Sequence, residues 1–190
     1  MIPGQLTDQE RARLLALARQ ALEMGVRGEG VSPLDLHSET PCLQEPGASF
    51  VTLTYRGELR GCIGALDAYQ PLVEDVREHA VAAAVNDYRF PQVRPDELVD
   101  IKIEISRLTP PQPLEYSTPE ELPQKLRPYV DGVVIRDGIR RATFLPQVWE
   151  KIPDPELFLC HLCQKMGASP DYWKRKKLEV LIYQVEEFCE

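Results

Sequence analysis

The chain has 190 residues, 43% hydrophobic and 27% charged, with 30 acidic residues against 22 basic ones, five cysteines and a formal net charge of −8. That length supports one self-sufficient core without disulfide or metal staples, and no stretch approaches the roughly 18 apolar residues of a membrane span, so no membrane partner is expected. The acidic balance repels phosphate backbones and disfavours nucleic acid as a partner, and the odd cysteine count fits free thiols in a reducing, cytoplasmic setting.

The opening Met1-Ile2-Pro3-Gly4 reaches Asp8 and Glu10 without the basic start and apolar run of a secretory leader. Residues 7–25 carry helical periodicity: Thr7 and Glu10 form a capping box, Leu14, Leu15, Leu17, Ala18, Ala21 and Leu22 make the apolar stripe, and Gly25 and Gly28 end it. From Gly28 to Gly47, glycines and prolines without periodicity predict a long ordered loop or cover segment. Residues 49–56 alternate apolar and polar, Gly57-Glu58 turns the chain, and Leu59-Arg60-Gly61-Cys62-Ile63-Gly64 returns as the second strand of a hairpin. Pro71 is placed in the first turn of a helix running to about Asn86, with Leu72, Val73, Val76, Ala80, Ala83 and Ala84 on its buried side.

The segment 101–106 alternates strictly, with three isoleucines on one face and Lys102, Glu104 and Ser106 on the other. A proline-rich link, residues 110–113, leads to a short helix near 119–126. Asp137-Gly138 then joins strands 133–136 and 140–144. Residues 155–167 read as a helix with Leu157, Phe158, Cys160, Leu162 and Met166 mostly inward, stopped by Gly167. Ser169-Pro170 opens a last short helix, whose basic run Lys174-Arg175-Lys176-Lys177 complements the helix dipole, and 178–188 form a terminal strand. Two hairpins with interspersed helices and no βαβ repetition predict an α+β fold, an antiparallel or mixed sheet flanked by helices in one domain, residues 1–190.

Candidate chemistry concentrates on the second strand of the first hairpin. Strict alternation puts Arg60, Cys62 and Gly64 on one face, where a guanidinium beside a thiol favours the thiolate, while Gly61 and Gly64 admit close approach of a ligand or of another backbone. The same residues also fit a small buried cysteine flanked by a bulge or by tight sheet packing. Asp87 and Arg89, two apart in a loop, suit an ion pair that fixes the loop, or a carboxylate and guanidinium offered to a substrate. Glu104 is a candidate proton acceptor for Cys62 if the sheet brings it near, and otherwise a solvated strand carboxylate.

His37 lies in the long loop, His79 borders an apolar helix face and His161 sits inside a helix, so no Cys-His pair is assigned. Cys42 is a distant candidate for a resolving thiol. Cys160-His161-Leu162-Cys163 lacks two further ligands at matched spacing and a helix N-terminus, so it reads as core packing, and no metal site is expected. Gly25-Val26-Arg27-Gly28-Glu29-Gly30 follows a helix rather than a strand, so no nucleotide fingerprint is met and no cofactor is named.

The run Leu59-Arg60-Gly61-Cys62-Ile63-Gly64 resembles the six-residue signature of the AMMECR domain family, called protein A of the AmmeMemoRadiSam system in prokaryotes. Supporting matches are Pro71-Leu72, Asp87-Tyr88-Arg89-Phe90-Pro91, Ile105-Ser106, Asp131-Gly132-Val133, Phe144-Leu145-Pro146-Gln147-Val148 and Leu162-Cys163, which together span most of the chain. Tyr88 departs from the pattern, where a proline or small residue more often separates the acidic residue from Arg89. The resemblance implies a larger and a smaller subdomain and a cleft lined by the signature strand. It also implies association with a Memo-like protein and a radical S-adenosylmethionine enzyme, with roles proposed in RNA or small-molecule modification.

Two function classes follow. One is an enzyme or enzyme subunit that uses Cys62 as nucleophile, thiol carrier or soft ligand. The other is a binding module whose cleft docks a protein or small ligand without covalent chemistry. The first predicts an exposed, acidic thiol and the second predicts tolerance of Cys62→Ser. Nucleic-acid binding ranks last, because a basic face is hard to assemble from this composition.

Overall fold

Thr7 opens the first helix as the capping-box pattern predicts: its Oγ1 accepts from the Glu10 amide at 3.2 Å, and Glu10 Oε2 accepts from the Thr7 amide at 2.8 Å. Helix α1 spans Asp8–Val26. It runs through Gly25, whose missing Cβ would come 2.7 Å from Val81, so this glycine serves close helix contact rather than termination. Gly28, at φ +73°, supplies the left-handed stop. The structure, a computed structural model, describes residues 5–190, and the residues read above for a leader lie outside that range. The chain divides into two units, Met1–Thr109 with Glu186–Glu190, and Pro110–Val185. The acidic excess belongs to the first unit, since acids and bases nearly balance in the second.

In the first unit, the segment expected as loop contains a 3-10 turn at Leu36–Ser38 and a short helix, α2, Pro41–Gln44. Strand β1 (Pro46–Tyr55) then starts three residues earlier than the alternation indicated, because Pro46 and Gly47 pair with β3, Gln70–Pro71. Pro71 is therefore a strand residue and the N-cap of α3 (Leu72–Val85), not a member of its first turn. The hairpin turn is Arg56-Gly57, both with positive φ, and Glu58 already belongs to β2 (Glu58–Gly64). Strand β4 (Ile101–Leu108) pairs antiparallel with β1. The sheet order is β2-β1-β4-β9, with β9 spanning Val185–Cys189 and β3 attached beside β1.

The sheet alternates as the sequence predicts. Val51 and Leu53 lie opposite Ile105 and Ile103 on the buried face, against Leu14, Leu17 and Leu22 of α1 and Val76, Ala80 and Ala83 of α3. The other face carries Thr52 and Thr54, paired with Glu104 and Lys102.

The second unit holds a four-stranded antiparallel sheet in the order β5-β8-β6-β7: β5 Gln112–Pro113, β6 Gly132–Asp137, β7 Arg140–Phe144 and β8 Glu179–Tyr183. Helices α4 (Glu121–Lys125), α5 (Pro155–Lys165) and α6 (Tyr172–Arg175) accompany it. Its core stacks Trp149 on Phe158, 3.7 Å between ring centroids, with Leu122, Val133, Ile135 and Leu162 around them. Leu157, expected inward, is exposed on α5.

The terminal segment read as one strand is two. The break falls at Gln184: β8 joins the second sheet and β9 the first. Nothing in the sequence marks such a transfer, because no Gly, Pro or turn pair interrupts residues 178–188. The fold is α+β, with helices on antiparallel sheets, two in number rather than one. Among the described residues no helix is long and apolar enough to cross a membrane.

Candidate functional site around Cys62

Strand β2 is an edge strand, so part of its backbone lacks a strand partner. At Cys62 two side chains from the loop after α3 supply the missing bonds. The Cys62 amide donates to Asp87 Oδ2 at 2.9 Å, and the Cys62 carbonyl accepts from Arg89 Nη2 at 3.0 Å. Asp87 and Arg89 are joined in turn: Nη2 donates to Oδ2 at 2.6 Å, Nε to Oδ1 at 2.9 Å, and the Arg89 amide to Oδ1 at 3.2 Å. The Asp87 carboxylate, 5% exposed as a residue, thus accepts four hydrogen bonds, which fills its capacity. The Arg89 guanidinium and then the backbone donors hold its carboxyl well below the usual carboxylate range, against the opposing effect of burial. Asp87 in turn raises Arg89 further above its already high range. The ion pair expected from the two-residue spacing is present, and the backbone of Cys62 is what it grips.

The Cys62 side chain faces β1. Cys62 and Thr52 are cross-strand partners, and Thr52 Oγ1 donates to Cys62 Sγ at 3.3 Å. Thr52 pairs on its other side with Glu104, so Cys62, Thr52 and Glu104 form one row across three strands. At about 4.8 Å per strand, Glu104 stands roughly 10 Å from Cys62 between backbones, with Thr52 in the intervening place. The sheet brings the two to one row, and Thr52 makes the direct contact.

Arg60 does not belong to that row. The register shifts between Leu53 and Thr54: Leu53 pairs with Gly61 and Thr54 with Leu59, leaving Arg60 as the unmatched residue of a bulge. The bulge interrupts the alternation that would seat Arg60 beside Cys62. Its guanidinium instead binds Glu97 through Nε and Nη2, both at 3.0 Å, and donates to the carbonyls of Pro91 at 2.7 Å and Gln92 at 3.1 Å. Arg60 foremost, opposed by burial, lowers the Glu97 carboxyl. The guanidinium that does bind this residue is that of Arg89, through the Cys62 carbonyl.

The two glycines also have internal partners. A Cβ on Gly61 would lie 2.1 Å from the Ala83 carbonyl oxygen of α3, and one on Gly64 would lie 2.4 Å from the Ser49 carbonyl oxygen. Close approach is required at both, and the approaching atoms belong to the chain itself.

Two features escaped the sequence reading. One is Thr52. The other is a buried cluster beneath the start of β1, where Ser49 Oγ donates to Asp75 Oδ2 at 2.6 Å and His79 Nδ1 lies 3.2 Å from the same oxygen. Asp75 and His79 are four apart on α3, a spacing visible in sequence, but only the fold brings Ser49 to them. Of the other candidates, His37 lies in the 3-10 turn and His161 in α5. Cys42 packs against the first core, and burial, partly offset by Arg107, pushes its thiol up. Cys163 is fully buried on α5 with its thiol also pushed up by burial, and Cys160 is half-buried on the same helix. All five cysteines are free thiols, and the described residues contain no group of three or more His, Cys, Asp or Glu placed to hold a metal ion.

Two antiparallel sheets with flanking helices and a side-chain-gripped edge cysteine define an α+β protein built around its first hairpin. The AMMECR1 family model matches residues 15–188, and the chain belongs to that family. A protein of Methanothermobacter thermautotrophicus is 39% identical, over 97% of this chain and 96% of its own. Protein MJ0810 of Methanocaldococcus jannaschii is 35% identical, over 97% of this chain and 92% of its own. The crystal structure of the uncharacterized protein PH0010 from Pyrococcus horikoshii superposes with a TM-score of 0.81 at 36% identity, covering 97% of this chain and 93% of that one.

Proposed function

We propose that this chain is the thiol-presenting component of a cytoplasmic modification system whose other members are a Memo-like protein and a radical S-adenosylmethionine enzyme. Cys62 is the working group, as nucleophile or soft ligand. One observation carries the reading: an ion pair, the buried Asp87 carboxylate with the half-exposed Arg89 guanidinium, is committed to the amide and carbonyl of Cys62. A cysteine that only fills space needs no such fixture, whereas a reacting group gains from being held in one place. The Thr52 hydroxyl donates to Sγ and the Arg89 guanidinium to the carbonyl of the same residue, so Cys62 is held through both its side chain and its backbone. Glu104, the carboxylate of that row, stands one strand beyond Thr52, so a proton it takes from the thiol must pass by way of the Thr52 hydroxyl.

The test is alkylation of the native protein by iodoacetamide across a pH series, with each cysteine followed by peptide mass spectrometry. Cys62 is expected to react while the protein stays folded, ahead of the buried Cys163. If Cys62 stays unmodified until denaturant is added, the thiol reading fails. The chain is then a docking module, and Cys62→Ser should retain capture of the two partner proteins.

A further inference from the structure

We infer that Arg89 is an oxyanion hook and that the molecule reacting at Cys62 carries a carboxylate or phosphate; this rests on the reading of Cys62 as a presented thiol. Arg89 has five N–H donors in a planar fork. Three are committed, Nε to Asp87 and the two on Nη2 to Asp87 and to the Cys62 carbonyl. The two protons of Nη1 have no acceptor among the described residues, and the side chain is 45% exposed. The guanidinium cannot swing away to solvate this nitrogen freely, because Asp87 and the Cys62 carbonyl fix its plane.

A charged donor is thus held at a set place beside the thiol residue, with its ordering cost already met by the fold. Asp87 offsets part of the positive charge but occupies the opposite edge of the fork. An anion oxygen approaching Nη1 meets N–H donors rather than the carboxylate. Four of the five Arg60 donors are occupied by Glu97 and two carbonyls, one of them on Nη1, whereas Arg89 keeps both Nη1 protons open on a guanidinium bonded to the Cys62 carbonyl.

The net charge of the molecule sharpens the test. At −8 overall, with the acidic excess in the unit that holds Cys62, the general field repels anions. Preference for an anionic reagent at Cys62 must therefore come from a local donor.

Iodoacetate and iodoacetamide supply the pair of probes: in each the thiolate displaces iodide and forms the same S–CH2 bond, but only the first carries a carboxylate. The measured quantity is the iodoacetate-to-iodoacetamide rate ratio at Cys62, relative to the same ratio at the exposed Cys189 of the same native protein. One charge-assisted hydrogen bond should raise the relative ratio about tenfold or more. Inorganic phosphate should slow the iodoacetate reaction at Cys62 more than equal ionic strength of sodium chloride does, and Arg89→Lys, which keeps the charge but lacks Nη1, should bring the ratio down. If Cys62 reacts with both reagents at the ratio of Cys189, the hook is overturned while the presented thiol stands. If Cys62 reacts with neither, the presented thiol itself is overturned. Should Arg89→Lys fail to fold, the ratio and the phosphate competition on the unaltered chain decide alone.

Discussion

The Asp87 carboxylate receives the Cys62 amide at 2.9 Å although 25 residues separate the two, and it does so as an edge-strand partner would. Arg89 completes the substitution by donating to the carbonyl of the same residue. The pair caps one exposed step of β2, a place where an unprotected edge invites pairing with another chain.

Asp87→Asn should therefore be costly. An asparagine cannot accept four hydrogen bonds without turning its NH2 group toward a donor, and Arg89 would lose its counter-charge. We expect a loss of about 3 kcal/mol at neutral pH, read from urea unfolding, with faster hydrogen exchange of the Cys62 amide. The sign with pH follows from the depressed carboxyl: its contribution is present above the unfolded value near 3.8 and is lost as pH falls through the lower folded value. The gap between the two proteins should close in strong acid. A variant as stable as the parent at neutral pH would show that the grip is incidental.

How far the site was legible turns on the bulge at Arg60. The hairpin, its strands and the Asp87–Arg89 pair all follow from short-range spacing. Counting outward from Tyr55 opposite Glu58, an unbroken ladder would set Thr52 against Gly61; the extra residue moves Cys62 there instead. One inserted position decides which side chain meets Thr52 and removes Arg60 from the row; the glycines beside Cys62 are compatible with a bulge, but nothing in Leu59–Gly64 fixes it at Arg60. The target of Asp87 was equally hidden, because a backbone amide has no identity in sequence. The division of the last strand at Gln184 was hidden for a different reason, since the chain passes from one sheet to the other without a Gly, Pro or turn pair to mark the step.

Arg60→Met tests the reassigned role of that residue. Removing the guanidinium leaves the Glu97 carboxylate, 8% exposed, with the Arg94 amide but without its principal charge partner, and frees the carbonyls of Pro91 and Gln92. About 2–3 kcal/mol should be lost, with increased hydrogen exchange through residues 91–97. The iodoacetamide rate at Cys62 should stay as in the parent. A large fall in that rate with the protein still folded would return Arg60 to the thiol.

Gly61→Ala probes the contact between β2 and α3. Its Cβ would stand 2.1 Å from the Ala83 carbonyl oxygen, a backbone atom that cannot rotate aside, so strand or helix must shift. A loss of about 2 kcal/mol or more is expected from thermal or urea unfolding. Gly30→Ala, with nothing within 4 Å of its Cβ, is the matched control and should stay close to the parent. Equal behaviour of the two variants would mean that β2 and α3 are not packed this closely.

Tyr183, at the end of β8, gives an alkaline signature for the second unit. It is 2% exposed, its hydroxyl lies 3.1 Å from Thr143 Oγ1 and donates to the Phe144 carbonyl at 3.2 Å, and burial pushes its pKa up to about 12. A phenol ionises to a charged form that the folded interior disfavours, so the folded value exceeds the unfolded one of 10.0. Its contribution to stability is complete below pH 10 and declines as pH rises toward 12. Absorbance of tyrosinate during an alkaline titration should show a late group whose ionisation accompanies unfolding of the second sheet. Tyr183→Phe should remove that group and lessen the fall in stability over the same interval. If the variant loses stability between pH 10 and 12 as steeply as the parent, alkaline unfolding begins elsewhere.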